Sequence, residues 1–102
     1  MRILLTRPRA DAERTAARLA ARGHQAIISP VIEIVATGAA LPGVFFDAMI
    51  ATSRHAFASG HTDALRDVPL YAVGERTREA AQRAGWIGPI HVGENAQALI
   101  AL

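Results

Sequence analysis

The run from Pro69 to Gly85, Pro-Leu-Tyr-Ala-Val-Gly-Glu-Arg-Thr-Arg-Glu-Ala-Ala-Gln-Arg-Ala-Gly, admits few folds. Leu70 to Val73 is a short apolar run, too short for a helix and suited to a buried strand. Gly74 supplies a tight turn and a polar first turn opens at Glu75. The alanine-rich continuation stops at Gly85, as helices do at a glycine C-cap. Strand, turn, helix and stop thus follow one another without a spare residue. Two other places repeat the arrangement, after Arg2–Leu5 and after Asp47–Ala51. Strands that alternate with helices predict an α/β chain with a parallel sheet and helices on its faces, joined by right-handed crossovers.

Taken in order, Arg2 to Leu5 reads as the first strand, ended by Thr6-Arg7-Pro8. Proline disfavours helical geometry in the residue before it and is tolerated at a helix start. A helix is predicted from Ala10 to Arg22. Its apolar stripe is Ala12, Ala16, Leu19 and Ala20, its solvated stripe is Arg14, Arg18 and Arg22, and Gly23 is its cap. Gln25 to Ser29 reads as the second strand. Pro30 interrupts it, and Val31 to Val35 resumes as an alternating extended run. Thr37 to Gly43, small and Gly/Pro-containing, reads as a linker. Asp47 to Ala51 is a third strand, and Ser53 is an N-cap for a short helix from His55 to Ser59. Gly60 closes that helix, and Thr62 to Arg66 suits one further turn. Val68 to Val73 is the fourth strand, and Trp86 to Val92 carries a short fifth, Pro89-Ile90-His91-Val92. Asn95 caps a last helix from Ala96 to Leu102. That helix ends on Ile-Ala-Leu without a capping signal, so the chain is expected to belong to a longer one.

Composition removes several classes of function. The 102 residues include no cysteine, which leaves no disulfide framework and no thiolate metal site. No apolar run nears the roughly 20 residues that span a bilayer, and the N-terminus lacks the pattern of a signal peptide. A cytoplasmic protein without a membrane partner is the expectation. All 11 basic residues are arginine, and they are spread along the chain instead of forming a patch, so no nucleic-acid partner is expected. His24, His55, His61 and His91 lack metal-ligand spacing and read as surface residues. Neither a dinucleotide fingerprint nor a phosphate-binding P-loop is present.

The chemistry that remains lies at three strand ends: Thr6, Arg7 and Pro8; Thr52, Ser53 and Arg54; and Gly74, Glu75, Arg76 and Thr77. Each sets hydroxyls, backbone N–H groups and an arginine at the start of a helix. Helix N-termini favour anions through exposed N–H groups and the helix dipole. Arginine binds carboxylates in a bidentate fork. Three such ends on one sheet edge would hold a ligand with several negative charges. Nothing among these residues stands out as a catalytic acid or base.

In this order and spacing the motifs resemble the N-terminal half of uroporphyrinogen-III synthase. The resemblance is carried by Leu5-Thr6-Arg7-Pro8, Gly23-His24, Pro30-Val31-Ile32-Glu33-Ile34, Asp47 and Thr52-Ser53-Arg54. It continues through Ala72-Val73-Gly74-Glu75-Arg76-Thr77, Ala80-Ala81, Ala84-Gly85, and Gly93-Glu94-Asn95-Ala96 with Leu99. His55 and Phe57 depart from the family, which often has asparagine and valine there.

The resemblance implies a flavodoxin-like half of a two-domain fold. Residues 1–36 would form a first-domain β-α-β segment, 37–43 a linker, and 44–102 a β-α-β-α-β-α segment of the second domain. It also implies a cofactor-free cyclase acting on hydroxymethylbilane, a carboxylate-rich linear tetrapyrrole whose last pyrrole ring is inverted through a spirocyclic intermediate. The tyrosine suspected as proton donor in the family lies in its other half, and Tyr71, inside a strand, is not its counterpart. A chain with half the cleft is expected to be inactive alone. The competing expectations are a non-catalytic flavodoxin-like fragment that forms a homodimer by segment exchange, and a phosphate- or nucleotide-binding module.

Overall fold

A computed structural model describes residues 1–58, 60 and 62–101. Ser59, His61 and Leu102 lie outside the described residues, and with them the sequence expectations for His61 and for the ends of two helices. The chain divides into two compact units, Met1–Val35 and Ala36–Leu102.

The first unit is a β-α-β segment. β1 (Arg2–Leu5) pairs in parallel with β2 (Gln25–Ile28), and α1 (Arg9–Ala20) connects them. The register sets Leu4 beside Ile27 and Leu5 beside Ile28. Side chains alternate across a strand, so Ile3, Leu5, Ala26 and Ile28 share one face. Leu5 and, on α1, Ala12 are buried, which makes this the face that α1 covers. Leu4 and Ile27 stand on the other face, 63% and 48% exposed. α1 ends as expected: His24 N–H donates to the Leu19 carbonyl and Gly23 N–H to that of Ala20, both at 3.0 Å.

The predicted stripe on α1 needs one correction. Ala12 is buried and Ala16 and Leu19 are half-buried, but Ala20 is exposed, because the first unit offers only two strands for the helix to lie on. The alternating run Val31–Val35 is also not a strand. Its five residues are all exposed, and its one recorded backbone bond runs from Val31 N–H to the Thr6 carbonyl, 3.2 Å. Alternation makes a segment suited to pairing but does not supply a neighbour with free backbone groups.

The second unit is a three-stranded parallel sheet in the order β3 (Met49–Ala51), β4 (Leu70–Val73), β5 (Ile90–Gly93). β3 and β4 are shorter than the sequence suggests, and β5 is shifted by one residue from the expected Pro-Ile-His-Val stretch. β4 and β5 begin just after Pro69 and Pro89, whose missing N–H cannot join a ladder. Their carbonyls still accept, from Met49 N–H at 2.9 Å and Leu70 N–H at 2.8 Å. β3 begins at Met49 for the related reason that its ladder starts where Pro69 supplies that carbonyl. The segment after β3 is a 3-10 turn, Arg54–Phe57, and not an α-helix; a second such turn is Asp63–Leu65. α2 (Glu75–Arg83) and α3 (Ala96–Ile100) complete the unit.

The core of this unit is built on one face of the sheet. Ala51, Leu70 and Ala72 from the strands meet Phe57 from the first turn and Ala81 from α2, with Met49, Ile90 and Trp86 packed around them. Phe57 and Trp86 meet edge to face, ring centroids 5.7 Å apart. Gly93 belongs to the opposite face by alternation. A Cβ there would meet Leu99 and Ala98 of α3 at 3.1 and 3.2 Å, so α3 covers that second face. Helices therefore lie on both faces of the β3–β4–β5 sheet.

The N-terminal ends of the strands are locked by a backbone latch. Ile87 and Gly88 N–H both donate to the Arg66 carbonyl, at 2.8 and 2.9 Å, and the Trp86 indole N–H donates to that of Val68 at 3.0 Å.

Candidate functional site at the strand ends

Parallel strands in sequential order bring their C-terminal ends together on one edge of the second unit. In open α/β sheets that edge is where ligands bind. Three loop-to-helix turns stand along it in the order of the strands.

At the end of β3, Thr52 and Ser53 are exposed. The Ser53 hydroxyl accepts from His55 N–H at 3.2 Å and so caps the turn that carries Arg54. At the end of β4, Gly74 has φ 81° and ψ 156°, a backbone state close to forbidden for residues with a Cβ. Its N–H donates to the Gly93 carbonyl at 2.9 Å, which ties the β4 turn to the β5 turn. Gly74 has no side chain, so α2 opens without a side-chain cap. The first N–H groups of a helix have no acceptor within it, and those of Glu75, Arg76 and Thr77 accordingly point out of the N-terminus. At the end of β5, the Asn95 amide oxygen accepts from Ala98 N–H at 2.8 Å and caps α3.

The charges along the edge are mixed. Glu75 is exposed and pairs with Arg78 one turn on, Oε2 to Nη1 3.3 Å. Arg76 is exposed and makes no ion pair or hydrogen bond among the described residues. Its cation sits in the first turn of α2, where the helix dipole disfavours positive charge. Thr77 is only 3% exposed, and its hydroxyl makes no hydrogen bond among the described residues. Glu94 adds an exposed carboxylate on the β5 turn.

Thr6, Arg7 and Pro8 belong to the first unit. They end β1, whose sheet is separate from β3–β4–β5, so the expectation of three ends on one sheet edge holds for two of them. Arg7 is also held: its guanidinium donates to the Thr15 hydroxyl at 2.7 Å, across two turns of α1. Pro8 is the N-cap of α1 and supplies no side-chain bond. The third member of the sheet edge is instead Gly93–Asn95. The N-cap signal of Asn95 is legible in the sequence, but its place beside Gly74 depends on the strand order.

Among the described residues no group of three His, Asp or Glu side chains could hold a metal ion, and no helix is long and apolar enough to cross a membrane. Of the histidines, His91 is exposed and His24 and His55 are half-buried.

A parallel sheet whose strand ends open onto helix N-termini, with glycine at the central turn and helices on both faces, defines an α/β protein. Residues 13–102 match the family of uroporphyrinogen-III synthase HemD, and the chain belongs to that family. No curated protein matches the sequence at a significant level.

Proposed function

We propose that this chain takes part in the uroporphyrinogen-III synthase reaction, and that the β3–β4–β5 edge holds carboxylates of the tetrapyrrole. The observation that carries the proposal is the start of α2. An uncapped helix N-terminus and, among the described residues, an Arg76 without an ion pair or hydrogen bond stand together at the carboxyl end of a parallel strand, with Thr77 in the same first turn. Thr52, Ser53 and Arg54 extend the same edge, and Thr6, Arg7 and Pro8 are proposed as further substrate contacts from the first unit.

Hydroxymethylbilane loses its hydroxyl as the pyrrole nitrogen donates electrons, so cleavage of that bond needs little help from a strong acid. Closing the ring through the inverted last pyrrole is a problem of conformation. A site for it works mainly through position and preorganised electrostatics. N–H groups and guanidinium groups on a rigid sheet edge hold propionate and acetate arms; their part is to restrict how the chain of pyrroles folds back on itself. In keeping with the family, the reaction is proposed to proceed without a cofactor.

Two measurements test this. Uroporphyrin III, a stable octacarboxylate, is expected to raise the thermal unfolding midpoint of the chain, and Arg76→Ala to reduce the shift. No stabilisation of either protein would overturn the edge as a carboxylate site. Incubation with enzymatically generated hydroxymethylbilane, followed by resolution of the isomers, tests catalysis separately. Formation of the type III isomer supports it, and only the spontaneous type I isomer would show that this chain does not catalyse.

A second reading rests on the first unit. Two strands and one helix make a marginal structure, and Leu4 and Ile27 lie adjacent and exposed on a face that parallel sheets ordinarily cover. Exchange of residues 1–36 between two copies would cover it. Light scattering at two concentrations distinguishes the dimer this requires from a monomer.

A further inference from the structure

We draw no further inference here: the strongest candidate, the part of the second face of the β3–β4–β5 sheet beside α3 where Ile50, Tyr71 and His91 stand side by side, carries nothing because nothing in the structure shows what covers it.

Discussion

Gly88→Ala tests whether the latch at the N-terminal ends of the strands holds the second unit together. A Cβ at residue 88 would lie 2.2 Å from the Val68 carbonyl oxygen, 2.7 Å from its carbon and 2.9 Å from the Asp67 oxygen. All three are backbone atoms, so no side chain can rotate away. Restoring an ordinary contact of 3.4 Å or more requires the two segments to part by over 1 Å. The bonds from Ile87 and Gly88 N–H to Arg66, now 2.8 and 2.9 Å, would then pass the hydrogen-bond limit, and the Trp86 indole bond to Val68 is strained with them. Three such bonds at about 0.5–1.5 kcal/mol each, less the roughly 0.4–1 kcal/mol that alanine contributes by restricting the unfolded chain, leave a net loss centred on about 2 kcal/mol. For a domain of this size that lowers Tm by roughly 10 °C. Trp86, the only tryptophan, lies in the latch and reports the transition by fluorescence in urea. Gly43→Ala is the control: a Cβ there meets nothing within 4 Å, and its φ lies outside the left-handed range. Gly43→Ala should match the wild type or exceed its stability slightly. A Gly88→Ala protein within about 0.5 kcal/mol of the wild type would refute the reasoning, since surface substitutions alone fall in that range.

Leu70 is the largest fully buried side chain, and Leu70→Ala should cost about 2–5 kcal/mol in the same urea titration. Gly74→Ala meets no atom within 4 Å, yet its φ of 81° with ψ 156° should cost about 1–3 kcal/mol through backbone strain alone. Ser53→Ala removes the acceptor of His55 N–H and should cost about 1 kcal/mol, read by thermal unfolding. Arg76→Ala should separate binding from stability. Removing a cation from the first turn of α2 leaves Tm unchanged or raises it by up to a few degrees, while the affinity for uroporphyrin III falls; in the wild type that affinity should also fall as salt is raised.

Local signals in the sequence anticipated much of the fold. The strand–glycine–helix run at Leu70–Arg83, the caps at Ser53 and Asn95 and the stop at Gly23 each involve residues within a few positions of one another. What depends on partners far along the chain was not legible. Val31–Val35 has the alternation of a strand, but pairing requires a second segment with open backbone groups, and alternation carries no word of one. The 3-10 geometry of Arg54–Phe57 was likewise hidden, since four residues between a capped start and the packing of Phe57 on Trp86 leave too little length for an α-helix. At the site, the residue types were readable but not their grouping. Arg7 looks like Arg76 in sequence, yet Arg7 donates to Thr15 and belongs to another sheet.

The contrast between these two arginines bears on the proposed site. Arg7 follows β1 and is tied to α1, with a neutral hydroxyl as its partner. Arg76 occupies a helix first turn, where its charge opposes the dipole, while its neighbour Glu75 is paired with Arg78. Folding of the second unit alone gains nothing from that cation. An anion seated against the N–H groups of Glu75, Arg76 and Thr77 would reverse the balance, because the anion offsets the helix end and the guanidinium gains a counter-charge. Glycine at residue 74 serves the same end: it admits the strained turn and leaves the space that a capping side chain would fill. Binding would then be strongest for ligands with several carboxylates spaced along a flexible chain, since the exposed Thr52 and Ser53 at the end of β3 lie on the same edge. An exposed Glu94 on the neighbouring β5 turn would work against a third arm at that position and so would favour binding toward β3.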